Sequence, residues 1–436
     1  MDRNKLSKLL LNTYTNAILS WMILLSLVFV AFVNFTDGRY AWGALNAFAV
    51  CIILLPGLSF KNLSIMPPWY LLMLVALPMT GNIIDHHLFS TNIPHYVSVA
   101  TIALLVAAEI NWFTSVKMGH RFAIIFVFIT TLAISGLWYL MQWLLDTNIG
   151  TSFILDGRSQ EAINTAVMYE FMYATVAGIV AGLIFGWYFG YKKSAAASNI
   201  IFSPKDPQYI PTYILSRPPA PIRKLLGISP QKQELATRIM QVCLLIMVFV
   251  GMYLGDTHVV LNAVIALGIT FVPSVLTRKY YISLDPSLTL WITLAVFLDA
   301  LGTLSFYDTV ARWDHLTHSL SASVIAAAGY VTIRTVDIYT DELYIPPRFM
   351  FIFIILFVLA AGVIWEILEF LTDEMVVKFE MKAFLTQHGI DDTMWDMFFD
   401  LLGALAVATW GTAYLSDISH RLARRIEAFS ASRNEK

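Results

Sequence analysis

Long apolar stretches recur along the chain, and short polar stretches separate them. Each is long enough to cross a bilayer as an α-helix. Their predicted bounds are 16–35, 42–59, 68–86, 95–115, 121–145, 163–190, 238–255, 258–276, 287–305, 314–333, 349–372 and 391–415. Runs this free of charge do not fit the short alternating strands of a membrane β-barrel. The pattern therefore predicts an all-α fold, a polytopic membrane helical bundle of about 12 transmembrane helices.

One polar, proline-rich stretch divides the apolar runs into two sets of six. It covers 191–237 and includes Ser216-Arg217-Pro218-Pro219-Ala220-Pro221. Such a stretch cannot span a membrane and is typical of a linker. We therefore expect an N-terminal six-helix membrane repeat at 1–190, a cytoplasmic linker at 191–237 and a C-terminal six-helix membrane repeat at 238–436 with a basic cytoplasmic tail.

The two sets also resemble each other in sequence. The matched stretches, in the same order, are Leu45–Ala47 with Leu261–Ala263, Gly136–Asp146 with Gly362–Asp373, and Met168–Phe171 with Met394–Met397. Six crossings return a chain to its starting side, so a duplication in one orientation fits these matches. Chance similarity between apolar helices is the alternative. In this alignment Tyr139 faces Glu366 and Gln142 faces Glu369, so the second repeat carries the charges.

Composition supports a membrane location. Hydrophobic residues make up 58% of the chain, charged residues 13%, and the mean hydropathy is +0.68. The formal net charge of -2 gives no indication of nucleic-acid binding. Cys51 and Cys243 both lie in apolar runs, which predicts buried thiols and no disulfide framework. We expect membrane lipids to be the main partners, and the oligomeric state stays open.

The distribution of Lys and Arg predicts an orientation. With the N-terminus inside, the inner loops, linker and tail hold most of the basic residues, whereas the outer loops hold only Arg39, Arg158, Arg312, Lys378 and Lys382. An even helix count in each repeat then places both termini in the cytoplasm. We expect a multi-pass protein of the cell membrane.

Charged side chains interrupt three of the apolar segments at helical spacing. The sets are Asp314, His315 and His318; Glu366 and Glu369; and Asp392, Asp396 and Asp400. Residues three or four apart lie on one face of a helix. Ionisable groups inside membranes are costly and usually mark function. In the predicted topology all three sets lie near the outer ends of their helices, so we expect them to converge on the extracytoplasmic side.

Carboxylates with one or two imidazoles suit a divalent metal ion such as Mg, Mn, Ca, Fe or Zn. We expect His318, Glu366, Glu369, Asp396 and Asp400 to hold the metal, and Asp314 or His315 to act as a general base or to orient a ligand. The predicted function is metal-dependent action on a lipid or lipid-linked substrate. The alternatives are a proton- or cation-coupled transporter, a non-catalytic membrane scaffold, and interfacial charges at water-exposed helix ends.

The same residues carry a family resemblance. Asp314-x-x-x-His318, Glu366-x-x-Glu369 and Asp392-x-x-x-Asp396-x-x-x-Asp400-x-x-Gly403 together resemble the YjdF-like family of integral membrane proteins, and more distantly the VanZ-like family. In VanZ-like proteins the last acidic position is commonly Asn, where this chain has Asp400. The resemblance covers about 290–416, implies a membrane location and supplies no activity.

Overall fold

The computed structural model describes residues 13–84, 93–195, 228–280, 284–340, 342–379 and 389–411, with further residues between 415 and 426. Within these residues the regular structure is helical and no β-strand occurs. The predicted all-α fold is therefore confirmed. In this part of the chain, nine helices are long and apolar enough to cross a membrane, and Trp69–Thr80 and Val97–Phe113 are shorter apolar helices. The total of 12 crossings stays a prediction.

The helices before the predicted linker are α1 (Thr13–Thr36), α2 (Tyr40–Ser59), α3 (Trp69–Ile84), α4 (Ile93–Phe113), α5 (His120–Ile149) and α6 (Gln160–Ala195). Those after it are α7 (Pro230–Leu254), α8 (Thr257–Thr270), α9 (Val272–Tyr280), α10 (Pro286–Leu301), α11 (Trp313–Tyr339), α12 (Pro347–Phe379) and α13 (Ile390–Ala406). Together α8 and α9 make one candidate membrane span, Thr257–Lys279.

Contacts divide the chain into two compact units. The first comprises 1–158 and 166–195, and the second comprises 159–165 and 196–436. In this division Ser159–Thr165, at the start of α6, belong with the second unit. Each unit has its own apolar core. Leu27, Leu45, Ile53 and Leu72 are fully buried in the first, while Leu244, Met247, Ala263, Ala266 and Ala300 form a core between α7, α8 and α10 in the second.

Most of the predicted linker, residues 196–227, lies outside the described residues. At its edges the chain is helical, because α6 continues to Ala195 and α7 begins at Pro230. The earlier start of α7 has a local cause. Ser229 caps the helix by accepting a hydrogen bond from the Lys232 amide, and Pro230 follows at the first helical position. The first two turns of α7, residues 230–237, are mostly polar and carry Lys232 and Glu234, so they are not part of the apolar run.

A kink separates α10 from α11 and positions the charged start of α11. Residues Gly302–Phe306 form a π-helical segment in which Ser305 has φ of 71°. The Tyr307 ring packs so closely over Gly302 that a Cβ there would lie 2.2 Å from it. Arg312 then adopts a left-handed conformation, with φ of 66°, immediately before α11 begins. The kink therefore sets where the first turn of α11, with its charged residues, enters the bundle.

Helix α13 packs closely against α11. A Cβ on Gly403 would lie 2.2 Å from the Ser319 carbonyl oxygen, so the two backbones meet there without a side chain between them. One turn away, the Ser319 hydroxyl donates a hydrogen bond to the Phe399 carbonyl at 3.0 Å. This approach fixes the acidic row of α13 beside the charged turn of α11.

Candidate functional site

Three helices of the second unit bring charged side chains to one place. The charges lie in the first two turns of α11, in the second half of α12 and in the first three turns of α13. The indole of Trp313 anchors the start of α11, since it donates to the Leu298 carbonyl at 3.1 Å and its ring lies 4.9 Å from that of Phe306. The charged residues of α11 are thereby held against α10 as well as α13.

His318 lies at the centre of this cluster, where it contacts three carboxylates. Its Nε2 lies 3.7 Å from Asp314 Oδ1 and 3.7 Å from Asp396 Oδ2, and its Nδ1 lies 3.3 Å from Asp400 Oδ1. Those carboxylates come from two helices, and the imidazole stands between them. A single imidazole carries at most one positive charge. The arrangement therefore brings three acidic groups around one basic group, and a proton or a cation is needed to balance the rest.

A second feature is a close group of donor atoms. One donor atom from each of Asp314, His315 and Asp396 lies within 4.8 Å of the other two. Asp396 is only 4% exposed, and its Oδ1 is buried without a hydrogen-bond partner among the described residues. His315 Nδ1 is buried in the same unpartnered state. Buried polar atoms are almost always paired, so these two atoms are expected to pair with a water molecule, a proton or a cation.

The ring of His315 is fixed by aromatic packing. It stacks on Phe399 with centroids 4.3 Å apart and an interplanar angle of 11°, and it lies 5.6 Å from the ring of Trp395. Both aromatic residues are on α13. This stacking orients the imidazole without using either ring nitrogen, which leaves those nitrogens for a ligand.

Glu366 is the most buried carboxylate of the cluster, with 2% of its surface exposed. Its Oε2 accepts a hydrogen bond of 2.8 Å from the hydroxyl of Thr393 on α13. Glu369 is one turn further along α12 and half-buried. Its Oε1 accepts from the Trp365 indole at 2.9 Å. Both glutamates are within electrostatic range of His318, so they belong to the same charged cluster.

The structure thus brings the predicted residues together at one site. Direct contacts join His318 to Asp314, Asp396 and Asp400, and His315 completes the close donor group. Glu366 and Glu369 flank this centre, each held by a hydrogen bond to a neighbouring side chain. Asp392 is half-buried at the start of α13, within electrostatic range of Glu366. Whether these residues have the predicted metal and base roles stays a prediction.

Sequence reasoning missed four residues that join this cluster. Asp299 on α10 accepts a 2.9 Å hydrogen bond from the Tyr307 hydroxyl and is within electrostatic range of His318 and Asp314. Thr393 bonds to Glu366, and Asn164 lies beside Thr393. Asp299 had a usable signal, because it is the one carboxylate within the apolar run 287–305. The neutral Asn164 and Thr393 had none, since polar neutral residues are common in membrane helices.

Comparison with known proteins gives matches over parts of the chain. Residues 235–417 match the family described as predicted membrane protein (DUF2238), and residues 4–66 match a domain of unknown function (DUF8268). An uncharacterized protein of Thermotoga maritima is 31% identical over 140 residues, which is 32% of this chain and 68% of that protein. No solved structure matches the chain.

The matched region contains all three charged sets of the cluster, from Asp314 to Asp400. It agrees with the YjdF-like resemblance found in the same residues, whereas the VanZ-like resemblance is not shown by these matches. An all-α fold with many apolar helices fits the description of the family. On the strength of this region and the Thermotoga maritima relative, the chain belongs to the DUF2238 family of predicted membrane proteins.

Proposed function

We propose that the acidic–histidine cluster binds a divalent cation, and that the protein uses this cation to act on a lipid or lipid-linked substrate. One observation carries the proposal. Donor atoms of Asp314, His315 and Asp396 lie within 4.8 Å of one another, and two of these side chains hold buried atoms without a hydrogen-bond partner in the part of the chain that the structure describes. A cation among them would supply the missing partner and offset the repulsion between the carboxylates.

The ligand types narrow the cation to a group. Carboxylate oxygens with one imidazole suit Mg, Mn, Fe or Zn, and a larger carboxylate share suits Ca. In a protein site such a cation polarises a phosphoryl or carbonyl oxygen and lowers the pKa of bound water. Around that centre, His318 is placed to hold or take a proton between Asp396 and Asp400. Glu366 and Glu369 add negative charge that strengthens cation binding.

The surroundings favour a substrate with an apolar part. On the two helices that carry Asp314 and Asp396, the side chains of Leu316 and Trp395 are exposed, at 51% and 39%. Trp365 is 45% exposed on α12. A lipid-linked molecule would place its polar head group at the cluster and its chain against these residues. The Lys and Arg bias of the loops supports an extracytoplasmic position for this rim.

Metal analysis of the purified protein tests the proposal. After detergent extraction, loading and removal of free ions, we expect about one Mn²⁺ per chain by elemental analysis, with an altered electron paramagnetic resonance signal. Loading with Mg²⁺, Ca²⁺, Fe²⁺ and Zn²⁺ would rank the preference. Less than about one cation per ten chains, for every ion tried, would exclude the proposed function.

A proton- or cation-coupled transporter is the second candidate. It is favoured by the position of His318 between Asp314, whose side chain is 31% exposed, and Asp400, which lies one turn further along α13 than Asp396. That order is suited to passing a proton along the row. Proton flux into liposomes containing the protein, with no stoichiometric metal, would favour this function. If the protein showed neither bound metal nor proton flux, the non-catalytic scaffold would be the remaining interpretation.

The proposed orientation has its own test. Single cysteines introduced in the basic stretch 205–223 and after Ser416 should react with a membrane-impermeant maleimide only in inverted vesicles, since both stretches are proposed to be cytoplasmic. A cysteine at Asp156, in a loop with Arg158, should react in intact cells. The reverse pattern would place the acidic–histidine cluster on the cytoplasmic side.

A further inference from the structure

The first two turns of α6 carry Gln160 and Asn164, whose side chains contact α13 within the second unit. Gln160 makes two hydrogen bonds with Asp391. Its Nε2 donates to Asp391 Oδ2 at 3.0 Å, and its Oε1 accepts from the Asp391 amide at 3.1 Å. Gly389 lies directly beside this pair, since a Cβ there would be 2.9 Å from Gln160 Cβ. The start of α13 is therefore held against the start of α6.

One turn further along, a buried polar chain runs from α6 to the cluster. The Thr393 hydroxyl oxygen lies 3.2 Å from Oδ1 of Asn164 and 2.8 Å from Oε2 of Glu366. Asn164, Thr393 and Glu366 are 4%, 1% and 2% exposed. Their burial leaves little room for water to replace any of these contacts, so each polar atom depends on its neighbours.

The chain has a preferred direction. A hydroxyl has one proton, and a carboxylate at 2.8 Å is the better acceptor, so Thr393 donates to Glu366. Its oxygen then needs a donor on its other side. The amide of Asn164 supplies one when its nitrogen faces Thr393, which a half-turn of the amide achieves. Donation then runs from Asn164 to Thr393 to Glu366, and it fixes the position of one oxygen of the Glu366 carboxylate.

We infer that Asn164 and Thr393 are positioning residues that fix the Glu366 carboxylate for the cation site. The inference rests on the proposed function and adds to it. Asn164 lies outside residues 235–417, the stretch that matches the family. The site is thus completed by a residue of α6 that the family match does not include. Gln160 and Asp391 support the same contact by holding the two helix ends in register.

Substitution of Thr393 tests this role. Thr393→Val removes the hydroxyl and keeps the shape, whereas Thr393→Ser keeps the hydroxyl. The matched control is Thr175→Val on α6, where the hydroxyl bonds only to the Phe171 carbonyl of its own helix at 2.8 Å. We expect Thr393→Val and Asn164→Leu to weaken Mn²⁺ binding about 10- to 100-fold, as substitutions around metal ligands do. Thr393→Ser and Thr175→Val should stay within about threefold of the unchanged protein, because neither removes a bond to Glu366.

A second readout does not depend on the cation. The infrared carboxyl band of Glu366, assigned by its loss in Glu366→Gln, should shift in Thr393→Val and return in Thr393→Ser. An unshifted band in a folded Thr393→Val protein would overturn the inference, whatever the cation result. If the unsubstituted protein binds no cation but Thr393→Val still shifts the band, the proposed function is overturned. The positioning of Glu366 by Thr393 is then still supported.

Discussion

Two buried carboxylates, Asp146 in the first unit and Asp396 in the second, are held in opposite ways. In the first unit, Asp146 accepts four hydrogen bonds, from the Thr151 hydroxyl and from the amides of Phe153, Ile154 and Leu155, at 2.6–2.9 Å. In the second unit, Asp396 has one oxygen without a partner among the described residues and another 3.7 Å from His318. The first carboxylate is satisfied by its own loop and has a structural role. The second is left able to bind something else.

The same contrast holds at positions that the proposed sequence alignment pairs between the two units. Where the second unit has Glu366, the first has Tyr139, whose ring packs edge-on against Phe171 with centroids 5.5 Å apart. Where the second unit has Asp400, the first has Ala174, which is 1% exposed. Ordinary packing fills these positions in the first unit. The comparison indicates that the charged side chains of the second unit have a role other than stabilising its helices.

Removing the unpartnered carboxylate should give the largest effect. Asp396→Asn keeps the volume and removes the charge that faces His315 and His318. We expect Mn²⁺ affinity to fall more than about 100-fold, since a direct ligand matters more than the residues around it. Glu170→Gln is the matched control, because Glu170 is the counterpart of Asp396 in the first repeat. Titration of Mn²⁺ by paramagnetic resonance gives both values.

The same experiment can contradict the contrast between the two units. Equal losses in Asp396→Asn and Glu170→Gln would mean that both units take part in cation binding. If neither variant lost affinity, the cation would have to be held elsewhere, and the unpartnered oxygen of Asp396 would need another explanation. Thermal unfolding in detergent would show that both variants are folded.

The convergence of the charged sets followed from the sequence because insertion energetics constrain charge so strongly. Each charge in the apolar core costs on the order of 2–3 kcal/mol, so charges at helical spacing must face the protein interior. The grouping of atoms within the cluster did not follow. The spacing does not show that the His315 ring stacks on Phe399 or that one of its nitrogens lies beside oxygens of Asp314 and Asp396. Such stacking depends on rotamers and helix rotation, which a spacing pattern does not contain.

Close helix packing offers the next largest effect. A methyl group at Gly403 would lie 2.2 Å from the Ser319 carbonyl oxygen, a backbone atom that cannot move aside. We expect Gly403→Ala to destabilise the second unit by about 3 kcal/mol, the upper end for overpacking. Gly268→Ala is the control, because its Cβ would meet nothing within 4 Å. Thermal unfolding in detergent compares the two, and similar melting temperatures would show that α11 and α13 do not meet so closely.

Asp146 gives a smaller effect of a different kind. Asp146→Asn replaces one accepting oxygen by a donor, so bonds from the amides of Ile154 and Leu155 are lost. We expect a loss of about 2 kcal/mol in the free energy of unfolding, typical of bonds to a charged group. Cation affinity should not change. A fall in Mn²⁺ affinity without a fall in stability would contradict the structural role assigned to this carboxylate.

The smallest effect concerns one tryptophan in each repeat. Trp365 donates its indole N–H to Glu369 Oε1 at 2.9 Å, whereas its counterpart Trp138 accepts through its carbonyl a 3.4 Å hydrogen bond from Gln142. Trp365→Phe removes a donor to a carboxylate, and Trp138→Phe removes no bond to Gln142. Because Glu369 is half-buried, water can replace part of the lost bond. We expect Mn²⁺ affinity to fall about fivefold in Trp365→Phe, equivalent to about 1 kcal/mol, and to stay unchanged in Trp138→Phe. An unchanged affinity in both would remove Glu369 from the cation site and confine that site to α11, α13 and Glu366.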